Sequence, residues 1–215
     1  MTAGAATGPF PRARARILRA WVVLALAASG LALGAFARAL LRREPPPVIS
    51  QLPGFALVDS GGRAITERDL RGRPWVADFI FTRCGGACPA MTARMAALHR
   101  EAPDGVAFVS MTVDPAHDTP EVLDRYARAV GAGPNWIFLT GAQDALYRLA
   151  VEGFKLGVEE VPAGGQAQGD GPFLHSSHFV LVDGHGRVRG YYDSTETEAL
   201  ERLRHDLLAV RAERG

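Results

Sequence analysis

Cysteine is nearly absent from this chain: two among 215 residues, Cys84 and Cys88. That scarcity excludes a disulfide scaffold and a four-cysteine zinc site. Any thiol or soft-ligand chemistry therefore belongs to the segment Phe81-Thr82-Arg83-Cys84-Gly85-Gly86-Ala87-Cys88-Pro89. Lysine is rarer still, with Lys155 alone, and the remaining positive charge is arginine. Acidic residues are missing from the first 41 positions, which hold five arginines and leave 19 basic against 23 acidic side chains, net −4, in the rest. A mildly acidic globule lacks the clustered cations that neutralise phosphate, so nucleic acid is not an expected partner. No internal repeat is evident, and the length beyond the N-terminal segment suits one domain of about 150 to 170 residues with a core of its own.

The uncharged residues are concentrated near the N-terminus. Arg12, Arg14, Arg16 and Arg19 precede an uncharged run from Ala20 to Ala37. As helix, at 1.5 Å per residue, that run reaches roughly 27 Å, about the thickness of a bilayer core. The expected layout is a basic cytoplasmic N-terminus over residues 1–19, one transmembrane anchor over 20–41, a linker over 42–50 and a folded domain over 51–215. Arginines favour the cytoplasmic side, which places the domain on the exported face of a bacterial inner membrane. Ala35-Phe36-Ala37 also has the small-x-small form of a cleavage site, so a signal peptide is the alternative. With no cysteine nearby, a lipid-modified cysteine is not the expected anchor. In an oxidising compartment two thiols can pair, and keeping them reduced takes a partner.

Arg42-Arg43-Glu44-Pro45-Pro46-Pro47 reads as a short stiff linker, because consecutive prolines favour extended geometry. Two hairpins are predicted, around Ser60-Gly61-Gly62 and Gly184-His185-Gly186. Between them come a nearly continuous apolar strand over Trp75 to Phe81, a helix from Pro89 to about Arg100, and a strand over Val106 to Val113. A helix opened by Asp118-Thr119-Pro120-Glu121, a strand over Trp136 to Leu139 and a helix over Ala142 to Glu152 follow. Residues 161–172 form a polar, glycine-rich loop, and Thr195-Glu196-Thr197-Glu198 reads as a capping box opening the last helix. This alternation predicts a three-layer α/β domain with a mixed central sheet. The cysteines fall where the first core strand hands over to its helix.

Two residues four apart on a helix face the same side, at Cα about 6 Å apart, which suits a disulfide or a shared ion. A helix N-terminus favours thiolate, and two thiolates are soft ligands for Cu(I), with a nearby imidazole extending the set to Cu(II). The residues alone leave open whether the pair passes electrons, holds a metal or does both. Met91 and Met95 have helical spacing and read as core; Asp114 and Asp118 read as loop and cap residues. Asp78, a carboxyl inside a buried strand, reads equally as hydrogen-bonded structure or as a group tuning the cysteines. His99, His117, His185 and His205 read as surface residues.

Three motifs in order, Phe81-Thr82-x-Cys84-x-x-x-Cys88-Pro89, then Thr112-Val113-Asp114-Pro115-x-x-Asp118-Thr119-Pro120, then His175-Ser176 ahead of Leu181-Val182-Asp183 and Gly186, resemble the Sco (SenC) family. The resemblance spans roughly residues 50–210. It implies a membrane-anchored, thioredoxin-like fold and copper, as Cu(I) or Cu(II), held by Cys84, Cys88 and one distal histidine. In that pattern a small hydroxyl residue follows the histidine and a strand leucine stands six positions on, which selects His175; His178 lies within the strand. The resemblance further implies a metallochaperone serving the dinuclear copper site of the copper-bearing subunit of cytochrome c oxidase, working with other copper chaperones or thiol reductants. The alternative is a thiol–disulfide oxidoreductase in which Cys84 attacks and Cys88 resolves. A third reading, a peroxidase with Arg83 activating a thiolate, fits the histidine less well.

Overall fold

The computed structural model describes residues 21–24, 26–34, 44–86, 88–156 and 177–213. The chain divides into two compact units, Met1–Glu44 and Pro45–Gly215. In the first, residues 21–24 and 26–34 are helical. Among the described residues no helix is long and apolar enough to cross a membrane.

The second unit is built on an eight-stranded sheet. Its strands are β1 (Ser50–Gln51), β2 (Ala56–Asp59), β3 (Ala64–Thr66), β4 (Trp75–Ile80), β5 (Ala107–Thr112), β6 (Trp136–Thr140), β7 (His178–Val182) and β8 (Arg187–Asp193), in the order β1-β8-β7-β4-β5-β6-β2-β3. Its helices are α1 (Cys88–Glu101), α2 (Pro120–Ala129), α3 (Gln143–Arg148), which runs on as a π turn over Leu149–Gly153, and α4 (Thr197–Ala212). β4, β5 and β6 are parallel, whereas β7 runs antiparallel to β4 and β2 antiparallel to β6. The predicted mixed sheet is thus observed.

β4 sits at the middle of this order, which is why all six of its residues are buried. Side chains alternate between the two faces of a strand. Trp75, Ala77 and Phe79 join the core formed with Leu146, Leu149, Ala150 and Phe154 of α3 and its extension. Val76 and Ile80 join the other core, formed with Met91 and Met95 of α1, Leu123 of α2, and Leu203 and Leu207 of α4. Helices on both faces give the three layers. Burying a methionine is worth about 2 kcal/mol, so Met91 and Met95 are core residues and not free ligands.

The two hairpins share one turn design. Asp59 and Asp183 each accept from the backbone N–H two and four residues on, and from the arginine four residues on, Arg63 or Arg187. The glycine just before each arginine, Gly62 or Gly186, takes a positive φ of 79° or 75° that favours glycine. Capping differs from expectation at two places. Thr119, not Asp118, caps α2 by accepting from Val122 N. Thr195 forms no capping box: its hydroxyl and N–H both donate to Asp193, and α4 starts after Glu196. Within the stretch read as linker, the Pro46 carbonyl accepts from the guanidinium of the buried Arg189, which also pairs with Asp183 and Glu213.

Candidate metal centre

The C-terminal ends of the parallel strands β4 and β5 lie at the same edge of the sheet as the start of β7, because β7 runs the other way. The cysteine segment leaves β4 at this edge. Phe81 O accepts from Cys84 N at 3.2 Å, closing a turn that holds Cys84 half-buried. Gly85 and Gly86 then cross solvent, and Cys88 enters as the first residue of α1, buried. The cysteines thus lie at the hand-over from strand to helix, as expected, with only Cys88 inside the helix, so helical spacing does not govern the pair. They meet because the chain bends between them, and the Cys84 thiol acts directly on the proton affinity of the Cys88 thiol. Both are free.

The expected thiolate-favouring effect of the helix start is also overturned at Cys88. Burial and then the Cys84 thiol push the Cys88 thiol up to about 12, against the Phe81 N–H, which favours thiolate. The negative charge of Asp78 adds to the same push. Asp78 projects from β4 on the face covered by α1 and is fully buried, with no hydrogen-bond partner for either oxygen. Burial raises its pKa to about 7, and the Ser110 hydroxyl opposite it in register offsets only part of that. Of the two readings of Asp78, its effect on the Cys88 thiol favours a group that tunes the cysteines.

The loop between β5 and α2 grips the residues just before Cys84. Asp118 is fully buried and accepts from Thr82 N at 3.0 Å, Thr82 Oγ1 at 2.5 Å and Thr112 Oγ1 at 2.5 Å. Asp114 pairs with Arg83 at 2.5 Å, and its own backbone N–H donates to Thr112 Oγ1 at 3.0 Å. An arginine so engaged is not free to activate a thiolate, which weighs against the peroxidase reading. Sequence reasoning missed the role of Asp118. The only signal was its place in the Thr-Val-Asp-Pro motif, since its contacts with Thr82 span 36 positions.

His175 lies outside the described residues. His178 opens β7 and shares the parity of Val180 and Val182, which face α3, whereas Phe179 and Leu181 face α1. It stands across from Asp193 in register, on the side of the sheet away from the helix that carries Cys88. His117, His185 and His205 are exposed as expected. His99 is half-buried, not fully exposed: its ring packs on Phe108 and Trp136 at 5.2 and 5.7 Å. The described donors that converge are two sulfurs, a soft pair suited to Cu(I).

A mixed sheet between helical layers, with a cysteine pair at the junction of its central strand and the next helix, defines a thioredoxin-like protein. The profile of the SCO1/SenC family matches residues 47–208, and the chain belongs to that family. It is 31% identical to the SCO1 protein homolog of Bacillus subtilis over 166 residues, covering 75% of this chain and 83% of that one. Its fold is similar to BsSco, described as a member of the Sco family of cytochrome c oxidase assembly proteins, at 29% identity, TM-score 0.66, and coverage of 80% and 98%. It is also similar to yeast Sco1 solved with copper bound, at 26% identity, TM-score 0.58, and coverage of 77% and 93%.

Proposed function

We propose that the chain binds copper through Cys84, Cys88 and His175 and delivers it to, or keeps reduced the thiols of, the dinuclear copper site of cytochrome c oxidase during assembly. The observation that carries this reading is the meeting of two free thiols, one buried and one half-exposed, at a turn whose lead-in residue Thr82 is held by the buried Asp118. Copper in yeast Sco1 and oxidase assembly in the description of BsSco support it. Copper here is cargo: the thiols must hold it and then release it to the copper-bearing subunit. The apolar segment over residues 20–41 would tether the domain to the exported face of a bacterial inner membrane. Other copper chaperones or thiol reductants would load or reduce it.

The unequal burial of the cysteines favours a second reading alongside the first. Cys84 is reached first by a partner disulfide, and its sulfur would form the mixed disulfide. Cys88 would then close the Cys84–Cys88 bond, passing two electrons to the partner, which leaves as a dithiol. Copper binding needs this pair reduced, so the readings share one state.

Titration of the reduced full chain tests the ligand set. A single equivalent of Cu(II) should bind with thiolate-to-copper absorption. His175→Ala should weaken binding and alter that spectrum, while His178→Ala should leave both near wild type. The reverse pattern would overturn the choice of His175.

A further inference from the structure

We infer that Asp118 and Thr82 form a brace that sets where Cys84 stands relative to Cys88, so that both govern copper affinity without touching the ion. The inference rests on the copper reading above. Gly85 and Gly86 give the cysteine segment little rigidity of its own, because glycine restricts the backbone least. Two sulfurs that must meet one ion need their separation fixed before the ion arrives, or ordering the loop is charged against affinity. The Thr82 N–H, two residues before Cys84, donates to Asp118 Oδ2 at 3.0 Å, and the Thr82 hydroxyl donates to Oδ1 at 2.5 Å. The same carboxyl is fixed to the sheet by Thr112 Oγ1, from the last residue of β5.

None of these bonds serves α2, whose first turn is capped by Thr119. Asp118 therefore does not act as a helix cap; its fully buried oxygens go to the strand end and to the residue that leads into Cys84. The neighbouring Arg83–Asp114 pair has a largely exposed guanidinium and contributes little by comparison. Groups one shell behind a metal ligand act by orienting it, and their removal typically costs about 10- to 100-fold in metal affinity.

Three variants of the reduced full chain test the brace by competition with a Cu(I) chelator. Thr82→Val deletes one hydroxyl donor and keeps the backbone bond; Asp118→Asn turns one acceptor into a donor; Thr82→Ser keeps the hydroxyl. We expect Cu(I) affinity to fall about 10-fold in Thr82→Val and by up to about 100-fold in Asp118→Asn, with Thr82→Ser at wild-type affinity. In the metal-free protein, the equilibrium of the cysteine pair with a glutathione buffer should shift in Thr82→Val and Asp118→Asn and not in Thr82→Ser. A purely structural role would lower the thermal midpoint and leave that equilibrium unmoved. Should Asp118→Asn fail to fold, Thr82→Val decides alone. Wild-type affinity and wild-type equilibrium in Thr82→Val, or equal losses in Thr82→Ser, would overturn the brace. If the wild type itself binds no copper, the copper reading fails, and the glutathione equilibrium still decides for or against the brace.

Discussion

Replacing Cys88 with serine is expected to abolish copper binding while the domain stays folded. Serine nearly matches cysteine in volume, and its hydroxyl can accept from the Phe81 N–H that now reaches the Cys88 sulfur. The folding cost is therefore that of one exchanged buried hydrogen bond, about 1 kcal/mol. A hydroxyl is a hard, protonated ligand that Cu(I) does not favour, so affinity should fall by a thousandfold or more, about 4 kcal/mol at 1.4 kcal/mol per decade. A chelator competition beside a urea melt separates the two effects. Near-normal affinity in a folded Cys88→Ser protein would sink the copper reading. The wild type should also show a pH signature. Copper must displace a Cys88 proton that is held up to about 12, so this thiol alone should raise apparent affinity about tenfold for each unit of rising pH below that value. If exchange chemistry operates as well, Cys88→Ser should accumulate a mixed disulfide at Cys84, because the resolving thiol is gone.

What the sequence made legible depended on how local the cause was. β4 could be read directly, since a strand buried on both faces is apolar throughout, and Asp78 stood out for the same reason. The place of His178 within a strand could be read from the apolar run that follows it. The turns around Gly62 and Gly186 could be read from their glycines, though their shared aspartate and arginine pairing went unread. The start of α1 beside Pro89 was legible because proline suits a first helical turn, whereas helical spacing says nothing of Cys84, which stands before the helix. Thr195 failed as a cap because Asp193, two residues back, captured its hydroxyl and N–H. His99 was misread because the space for its ring comes from Gly133, in a different loop. A Cβ there would stand 2.7 Å from the imidazole, so that glycine does more than end a helix. Asp118 lay furthest from reach, because nothing near position 118 reveals a partner at Thr82.

Asp78 carries the last prediction: between pH 4 and pH 8 the metal-free, reduced wild type should lose stability relative to Asp78→Asn. An unfolded aspartate ionises near 3.9, and this one ionises at about 7 when folded. Between those values the folded protein holds more protons than the unfolded chain, so its stability falls as pH rises. Three units at 1.36 kcal/mol each make the full effect about 4 kcal/mol, and complete burial leaves no solvent screening to discount. Asp59, Asp183 and Asp193 have lowered values, so their contributions are lost only as pH falls below the usual carboxylate range. His99, lowered by burial, gives a slope of opposite sign below 6.5, which the comparison with Asp78→Asn cancels. Urea melts of both proteins across this range measure the difference directly. Parallel curves would show that Asp78 is not an isolated buried acid. The same charge helps to keep the Cys88 thiol protonated, so Asp78→Asn should lower the pH at which that thiol is alkylated. An unpaired buried carboxyl beside the cysteine pair costs stability at neutral pH and, by holding the proton on Cys88, makes that proton the one copper has to displace.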